Sequence, residues 1–183
     1  DNDTVETLSR SLHISAVTAR MLANRGLNGP QEARRFLEPS LHELSDPREH
    51  DLLSEAGRFL RDAVDSGRRI TVYGDYDADG ICAAATMIRC LRGAGAEVDC
   101  YVPRRFDQGY GLNAEALDEL KERGTDVVVT VDCGVSAVGE IQHASELGLE
   151  VVVTDHHQPG EKRPDTPYVL DPHLPDCDFG YRQ

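Results

Sequence analysis

The sequence lacks any apolar run long enough to cross a membrane, and its first residues, DNDTVETL, have none of the character of a signal peptide. We therefore expect no membrane partner. Its five cysteines are odd in number and form no C-x-x-C pair, which argues against both a disulfide framework and a zinc site. They are typical of unpaired thiols in a reducing compartment, so we expect the protein to be cytoplasmic.

Basic residues are also scarce. The 19 Lys and Arg are outnumbered by 33 Asp and Glu, which gives a formal net charge of -14. This balance argues against a broad nucleic-acid-binding face, although metal ions and a few arginines can still make one cleft positive. The chain has no initiator Met and ends in FGYRQ without a closing element. We therefore expect it to be part of a longer protein.

The pattern of apolar residues predicts an α/β fold, a parallel sheet with helices on both faces, preceded by a small helical N-terminal segment. Residues 1–68 are predicted to be helical, with helices at 16–24, 30–36 and 51–64. Strands and helices alternate over 69–183, which we assign as the second domain. The predicted strands lie at 70–73, 98–102, 126–131, 151–154 and, more briefly, 168–170.

The stretch ITVYGDYDADGICAAATM, at 70–87, carries the first chemical signal. It reads as a strand, then a turn with Asp75, Asp77 and Asp79, then a helix of small residues. Three carboxylates at alternate positions repel one another, and a hard divalent cation neutralises them. This turn therefore predicts a metal site.

Three other interpretations of the turn fit less well. An EF-hand loop needs Glu at its twelfth position, which is Thr86 here, and a helix rather than a strand before it. A nucleotide-binding turn needs GxGxxG or GxxxxGK[ST], and neither is present. A simple helix cap needs one Asp and not three.

Two more predicted strands end in residues that can bind metal. The third ends in VDCG with Asp132, and the fourth in TDHH with Asp155, His156 and His157. Singly, Asp132 could cap a turn and the histidines could lie on the surface. Jointly, they favour one metal centre, because ligands bind beyond the carboxyl ends of strands in an open parallel sheet.

The donor types favour Mn²⁺ or Mg²⁺, with zinc still open. The carboxylates suffice for two ions bridged by Asp132. Two ions about 3.5–4 Å apart are a common device for in-line displacement at a phosphorus ester.

The second strand ends differently, in VPRRFDQGYGLN. Arg104 and Arg105 could bind a substrate phosphate, and Asn113 could cap a helix whose free N–H groups attract anions. Tyr110 could stack on a base or simply pack. The plain alternative is an ordinary loop with solvated arginines.

GDYDADG, VDCG and TDHH, in this order, resemble motifs I, II and III of the DHH phosphoesterases. PRRFDQGYGLN and the preamble ANRGLNGPQEARRFLEPSLHELSDP are similar to the RecJ single-strand exonuclease branch of that superfamily. The resemblance implies that Mn²⁺ or Mg²⁺ is bound by Asp75, Asp77, Asp79, Asp132 and His156. It implies that His157 contacts the scissile phosphate and that Asp155 orients a histidine.

The implied activity is stepwise 5′-to-3′ hydrolysis of single-stranded DNA in recombination and repair, with a single-strand-binding protein or a helicase as a further partner. The alternatives are an oligoribonuclease, a cyclic-dinucleotide or pyrophosphate hydrolase, or a non-catalytic DHH module of a repair assembly. Such enzymes have a further Asp ligand and a second lobe that these residues do not contain. We therefore expect weak metal binding and no activity from this segment alone. Asp171 stands where the family tends to have Asn before Pro.

Overall fold

The first compact unit of the protein is a small helical bundle. The computed structural model describes residues 2–40, 42, 46–103 and 111–177, and the chain divides into two compact units, 1–46 and 47–183. The helices of the first unit are α1 (Asn2–Leu12), α2 (Ala16–Asn24) and α3 (Pro30–Leu37). Ser15 caps α2, since its Oγ accepts a hydrogen bond of 3.1 Å from the Thr18 N–H. The predicted helical N-terminal segment is confirmed.

The second unit is a parallel α/β domain. After a short 3₁₀ turn, its elements are α4 (Asp51–Asp65), β1 (Ile70–Gly74), α5 (Ala78–Gly93), β2 (Val98–Tyr101), α6 (Ala114–Glu122), β3 (Val127–Val131), α7 (Val138–Glu146), β4 (Glu150–Thr154) and β5 (Tyr168–Leu170). Within the described ranges these strands form one five-stranded sheet in the order β2-β1-β3-β4-β5, with every pairing parallel. The predicted fold class is confirmed.

Helices cover both faces of the sheet. Side chains of α4 and α5 pack in one apolar cluster with Ile70 and Val72, while those of α6 and α7 pack in another with Tyr73 and Val128. β3 lies between the two clusters, and all five of its residues are buried. A strand buried on both faces needs apolar side chains in both directions, which explains the valine run.

Helix α4 belongs to the second unit. The sequence prediction divides the chain at residue 68, where strands begin to alternate with helices. Compactness divides it after residue 46, because Ala56 and Ala63 of α4 are buried in the same cluster as Ile70.

The register of the strands determines where the candidate metal ligands lie. Gly74 pairs with Val131, and Val131 pairs with Thr154. The next residue in each strand is Asp75, Asp132 or Asp155, so these three aspartates follow neighbouring strands at the carboxyl edge of the sheet. The strand order reverses between β1 and β3, and such switch points are where open α/β sheets bind ligands. No helix in the part of the chain that the structure describes is both long and apolar enough to cross a membrane.

Candidate metal centre

Asp75 is a buried carboxylate directly after β1. Only 1% of the residue is exposed, and its Oδ1 atom finds no hydrogen-bond donor among the described residues. An ionised carboxylate oxygen in such a place carries a large desolvation penalty unless a cation compensates it. This oxygen is therefore the clearest structural sign of a metal ligand.

Asp77 caps α5 beside it. Its Oδ1 accepts hydrogen bonds from the N–H groups of Gly80, at 3.0 Å, and Asp79, at 2.9 Å. These bonds lower the pKa of Asp77 and keep it ionised. The side chain of Asp79 is exposed at the first turn of α5.

Gly80 allows α5 to start this close to the acidic turn. An ideal Cβ on Gly80 would lie 2.5 Å from the backbone oxygen of Asp75. No larger residue fits there without displacing the backbone that carries Asp75.

Asp132 occupies the centre of the site in an unusual backbone conformation. Its φ of 61° lies in the left-handed region, which non-glycine residues seldom adopt. The residue is 7% exposed, and its Oδ1 lies 2.9 Å from Nε2 of His156. Burial raises the pKa of Asp132, while the hydrogen bond from His156 opposes that shift.

Asp155 ties the loops after β3 and β4 together. Its Oδ2 accepts a hydrogen bond from the Val135 N–H at 2.9 Å, and its Oδ1 accepts from the N–H groups of His156 and His157. The same Oδ1 lies 2.7 Å from Nδ1 of His157. This contact raises the pKa of His157 and fixes its ring.

These side chains form two groups that could each hold a metal ion. One consists of Asp75, Asp77 and Asp132, the other of Asp132, His156 and His157, and within each group the ligand atoms lie within 4.8 Å of one another. Asp132 belongs to both groups, as a bridging ligand would. Asp79 belongs to neither of the two groups found among the described residues. Carboxylate and imidazole donors, with one buried carboxylate oxygen unpaired, fit Mn²⁺ or Mg²⁺.

Of the four residues predicted to bind substrate, Asn113 is the one that lies in the described part of the chain. Arg104, Arg105 and Tyr110 lie outside the described residues. Asn113 caps α6, since its Oδ1 accepts from the Ala116 N–H at 2.8 Å, and its Nδ2 donates to the Tyr73 hydroxyl at 3.0 Å. Both ends of the Asn113 side chain are thus engaged within the protein.

Two cavities open on either side of the histidine pair. One of about 370 Å³ lies beside His157, and its walls include Gly111, Ser136 and Gln158. The other, of about 390 Å³, lies beside His156 and is lined mainly by apolar side chains. Asp171, 3% exposed, also lines it, and its Oδ2 finds no donor in the described part of the chain. Burial raises the pKa of Asp171.

Sequence reasoning missed two buried polar side chains in the strands that lead to the candidate site. Tyr73 is fully buried, and its hydroxyl donates to the Gly111 carbonyl at 2.9 Å. Thr130 is fully buried beneath the turn that carries Asp132. A polar residue in an otherwise apolar strand is the only signal in the sequence for either of them.

Comparison with known proteins gives consistent matches. The model of the DHH family, N-terminal domain, matches residues 69–181. The chain is 39% identical to the single-stranded-DNA-specific exonuclease RecJ of Bacillus subtilis over 183 residues, which is all of this chain and 23% of that protein. It is 37% identical to RecJ of Escherichia coli over 177 residues, 95% of this chain and 30% of that one. The chain thus spans less than a third of the length of these relatives.

A solved structure agrees with the fold as well as with the sequence. RecJ from Thermus thermophilus, crystallised in complex with Mn²⁺, matches 98% of this chain and 24% of its own, with a TM-score of 0.73 and 31% identity. The family match covers the sheet and every strand end that carries a candidate ligand. On sequence and on fold, the chain belongs to the DHH family.

Proposed function

We propose that the protein is a Mn²⁺- or Mg²⁺-dependent phosphodiesterase that degrades single-stranded DNA from its 5′ end in recombination and repair. The observation that carries the proposal is the position of Asp132, shared between two groups of metal-binding side chains. A carboxylate shared between two such groups suits two-ion phosphoryl chemistry, because it can hold two ions close together.

The ligands divide between the two groups. Asp75 and Asp77, with Asp132, would hold one ion, and Asp132 with His156 would hold the other. We retain Asp79, at the exposed start of α5, as a further ligand that the occupied site would draw in. When bound, the ions supply charge neutralisation for a phosphate and a lower pKa for the attacking water.

His157 is proposed to act on the substrate. The hydrogen bond with Asp155 raises the pKa of His157, so the imidazole stays protonated over a wider pH range and can donate to a phosphate oxygen. Its neighbouring cavity of about 370 Å³ has room for a nucleotide phosphate. Asp155 is the positioning residue, because its hydrogen bond with Nδ1 of His157 fixes the orientation of the imidazole ring.

The proposal also covers the substrate, the metal ions, the partners and the location of the protein. Specificity for single-stranded DNA is supported by the similarity to relatives named single-stranded-DNA-specific exonucleases. The choice of ions is supported by similar RecJ structures that contain Mn²⁺ or Mg²⁺. Arg104, Arg105 and Tyr110 are proposed to contact the strand. A helicase or a single-strand-binding protein would present that strand, and the five unpaired cysteines support a cytoplasmic location.

The test uses the full-length protein, stripped of metal and then supplied with Mn²⁺ or Mg²⁺. Single-stranded DNA labelled at its 3′ end should shorten stepwise and release mononucleotides, while blunt duplex DNA should persist. Asp132→Asn should reduce the rate by at least about 100-fold, because loss of even an outer partner of a metal site commonly costs 10- to 100-fold. Asn tolerates the left-handed conformation, so the backbone should be preserved.

Asp126→Asn provides the matched control. Asp126 lies next to the opposite end of β3, where its Oδ2 accepts a hydrogen bond from the Arg69 N–H. The control should keep its nuclease activity. Degradation of dinucleotides or cyclic dinucleotides with intact single-stranded DNA would instead identify another DHH hydrolase. Inactivity towards all of these substrates, with metal bound, would indicate a non-catalytic module.

A further inference from the structure

The turn after β3 holds Asp132 in a backbone conformation that few non-glycine residues adopt. Asp132 has a φ of 61°, and Gly134, two residues later, has a φ of 110°. The left-handed conformation is strained for Asp132, though not for the glycine, and such strain persists only where surrounding groups hold it in place. Neighbouring groups must therefore stabilise this turn.

One hydroxyl group lies directly beneath it. The Oγ1 of Thr130 donates a hydrogen bond of 2.8 Å to the carbonyl oxygen of Cys133, so it closes the turn across Asp132. Thr130 is 0% exposed, so this bond is shielded from solvent. The Asp132 N–H donates to the Thr154 carbonyl at 3.0 Å, which ties the other side of the turn to β4.

The fit around this hydroxyl is tight. An ideal Cβ on Gly134 would lie 2.8 Å from Thr130 Oγ1, so the chain passes as close to the hydroxyl as glycine permits. The Thr154 hydroxyl donates to the Thr130 carbonyl at 2.7 Å and fixes the strand from its edge. Thr130 therefore has little freedom to move, and neither has the turn above it.

We infer that the Thr130 hydroxyl is a positioning group for the metal centre, which holds the Asp132 carboxylate at the point shared by the two ligand groups. This inference rests on the proposed function, because it assigns the hydroxyl a purpose only if Asp132 binds metal. Thr130 touches neither substrate nor metal in this role. It acts through the Cys133 carbonyl and the backbone of Asp132.

A purely structural role makes a different prediction. If the hydroxyl only satisfied a buried carbonyl, its removal would lower stability without a special effect on metal binding. Thr71 offers a matched comparison, because it is also a buried strand threonine, 2% exposed, whose hydroxyl pairs with that of Thr125 at 2.8 Å. It lies near the amino end of β1, away from the carboxyl edge of the sheet that carries the metal ligands.

The experiment measures Mn²⁺ affinity and the free energy of unfolding of the full-length protein and its variants. Affinity is read from the electron paramagnetic resonance of free Mn²⁺, and stability from urea unfolding in EDTA. We expect Thr130→Val to weaken Mn²⁺ binding about 10- to 100-fold, as for other outer partners of metal ligands. Thr130→Ser, which keeps the donor, should restore it. Thr71→Val should lower stability and leave Mn²⁺ affinity at the wild-type value.

Thr130→Ala is measured in parallel, because it removes the same donor without placing a methyl group against the Cys133 carbonyl. Wild-type Mn²⁺ affinity in folded Thr130→Val or Thr130→Ala overturns the inference, and so does an equal loss of affinity in Thr71→Val. Asp132→Asn distinguishes failure of the positioning role of Thr130 from failure of the proposed metal binding by Asp132. If Asp132→Asn loses Mn²⁺ while Thr130→Val does not, only the positioning role of Thr130 fails. Unchanged Mn²⁺ binding in Asp132→Asn instead removes Asp132 from the metal ligands, and with it the proposed shared site.

Discussion

Replacing Gly80 by alanine should damage both the stability and the metal site of this protein. A Cβ at this position would lie 2.5 Å from the Asp75 carbonyl oxygen and 2.7 Å from its Cα, where ordinary contact begins at 3.4 Å. The atoms that obstruct it are backbone, so no side-chain rotation can relieve the overlap. The start of α5 must move away from β1, or the turn with Asp75 must move, by about 0.9 Å.

The size of the effect follows from that overlap. Overpacking in a close-packed region typically costs about 1–3 kcal/mol, and a clash with main chain belongs at the upper end. A loss of about 3 kcal/mol corresponds to a decrease in melting temperature of roughly 6–12 °C for a chain of this size. Because the displaced backbone carries Asp75, Mn²⁺ affinity should fall as well.

Gly57→Ala is the matched control. Gly57 lies inside α4, where an added Cβ would meet no atom within 4 Å. Alanine there should raise stability by about 0.5–1 kcal/mol, because it restricts the unfolded chain and favours the helix. Both variants are compared with wild type by calorimetry in EDTA and by Mn²⁺ titration. Wild-type stability in Gly80→Ala, or a larger loss in Gly57→Ala, would refute the assigned packing of α5.

Three further substitutions test other parts of the site. Asp155→Asn should lower the pKa of His157, because it removes the anion that raises this pKa. An NMR titration of the metal-free protein measures the change, and an unchanged pKa would contradict the pairing of His157 with Asp155. The raised pKa of His157 stabilises the folded protein at pH values below about 6.5, the pKa of His in the unfolded chain, and this contribution is lost as the pH rises through the pKa of the folded state. Asp155→Asn should therefore also lower stability at acidic pH. Asp171→Asn should stabilise the protein by about 1 kcal/mol at neutral pH, because the unpaired buried oxygen then carries no charge. The gain should shrink at low pH, where the Asp171 carboxyl of the wild-type protein is itself protonated, and an equal gain at both pH values would reject this reasoning. Tyr73→Phe should cost about 1–3 kcal/mol in urea unfolding, since the Asn113 amide loses its buried acceptor and the Gly111 carbonyl its donor, whereas an unchanged midpoint would show that water replaces the hydroxyl.

The sequence predicted the elements of the sheet well because burial leaves a strong local pattern. The valine run of β3 requires a strand covered on both faces, and the structure covers it with α4 and α5 on one side and α6 and α7 on the other. The sequence predicts β1 at 70–73 and the helix behind the acidic turn at 81–91, and the structure differs from this only at the ends of the two elements. α4 was predicted as a helix, but its place against the sheet depends on contacts that are distant in sequence.

The sequence predicts which residues form the candidate site but not how those residues are arranged in space. Its ligands were identified because carboxylates and imidazoles follow three apolar strands, and the structure brings Asp75, Asp77 and Asp132 together, and Asp132 with the histidine pair. That Asp79 lies outside both groups follows from its position on α5, which the spacing alone does not fix. The roles of Thr130 and Gly80 depend on contacts of 2.8 Å and 2.5 Å with other turns.

The sequence by itself determined which residues can form strands and helices and which donor atoms stand at the strand ends, because hydrophobic period and residue chemistry are local properties. Tertiary structure alone decided that β1 and β3 are neighbours in register, with Gly74 opposite Val131, so that Asp75 and Asp132 come together where the strand order reverses. Strand order and register depend on packing between segments more than 50 residues apart, and no local pattern encodes them. Only after that packing does Asp132 become the ligand shared by two groups.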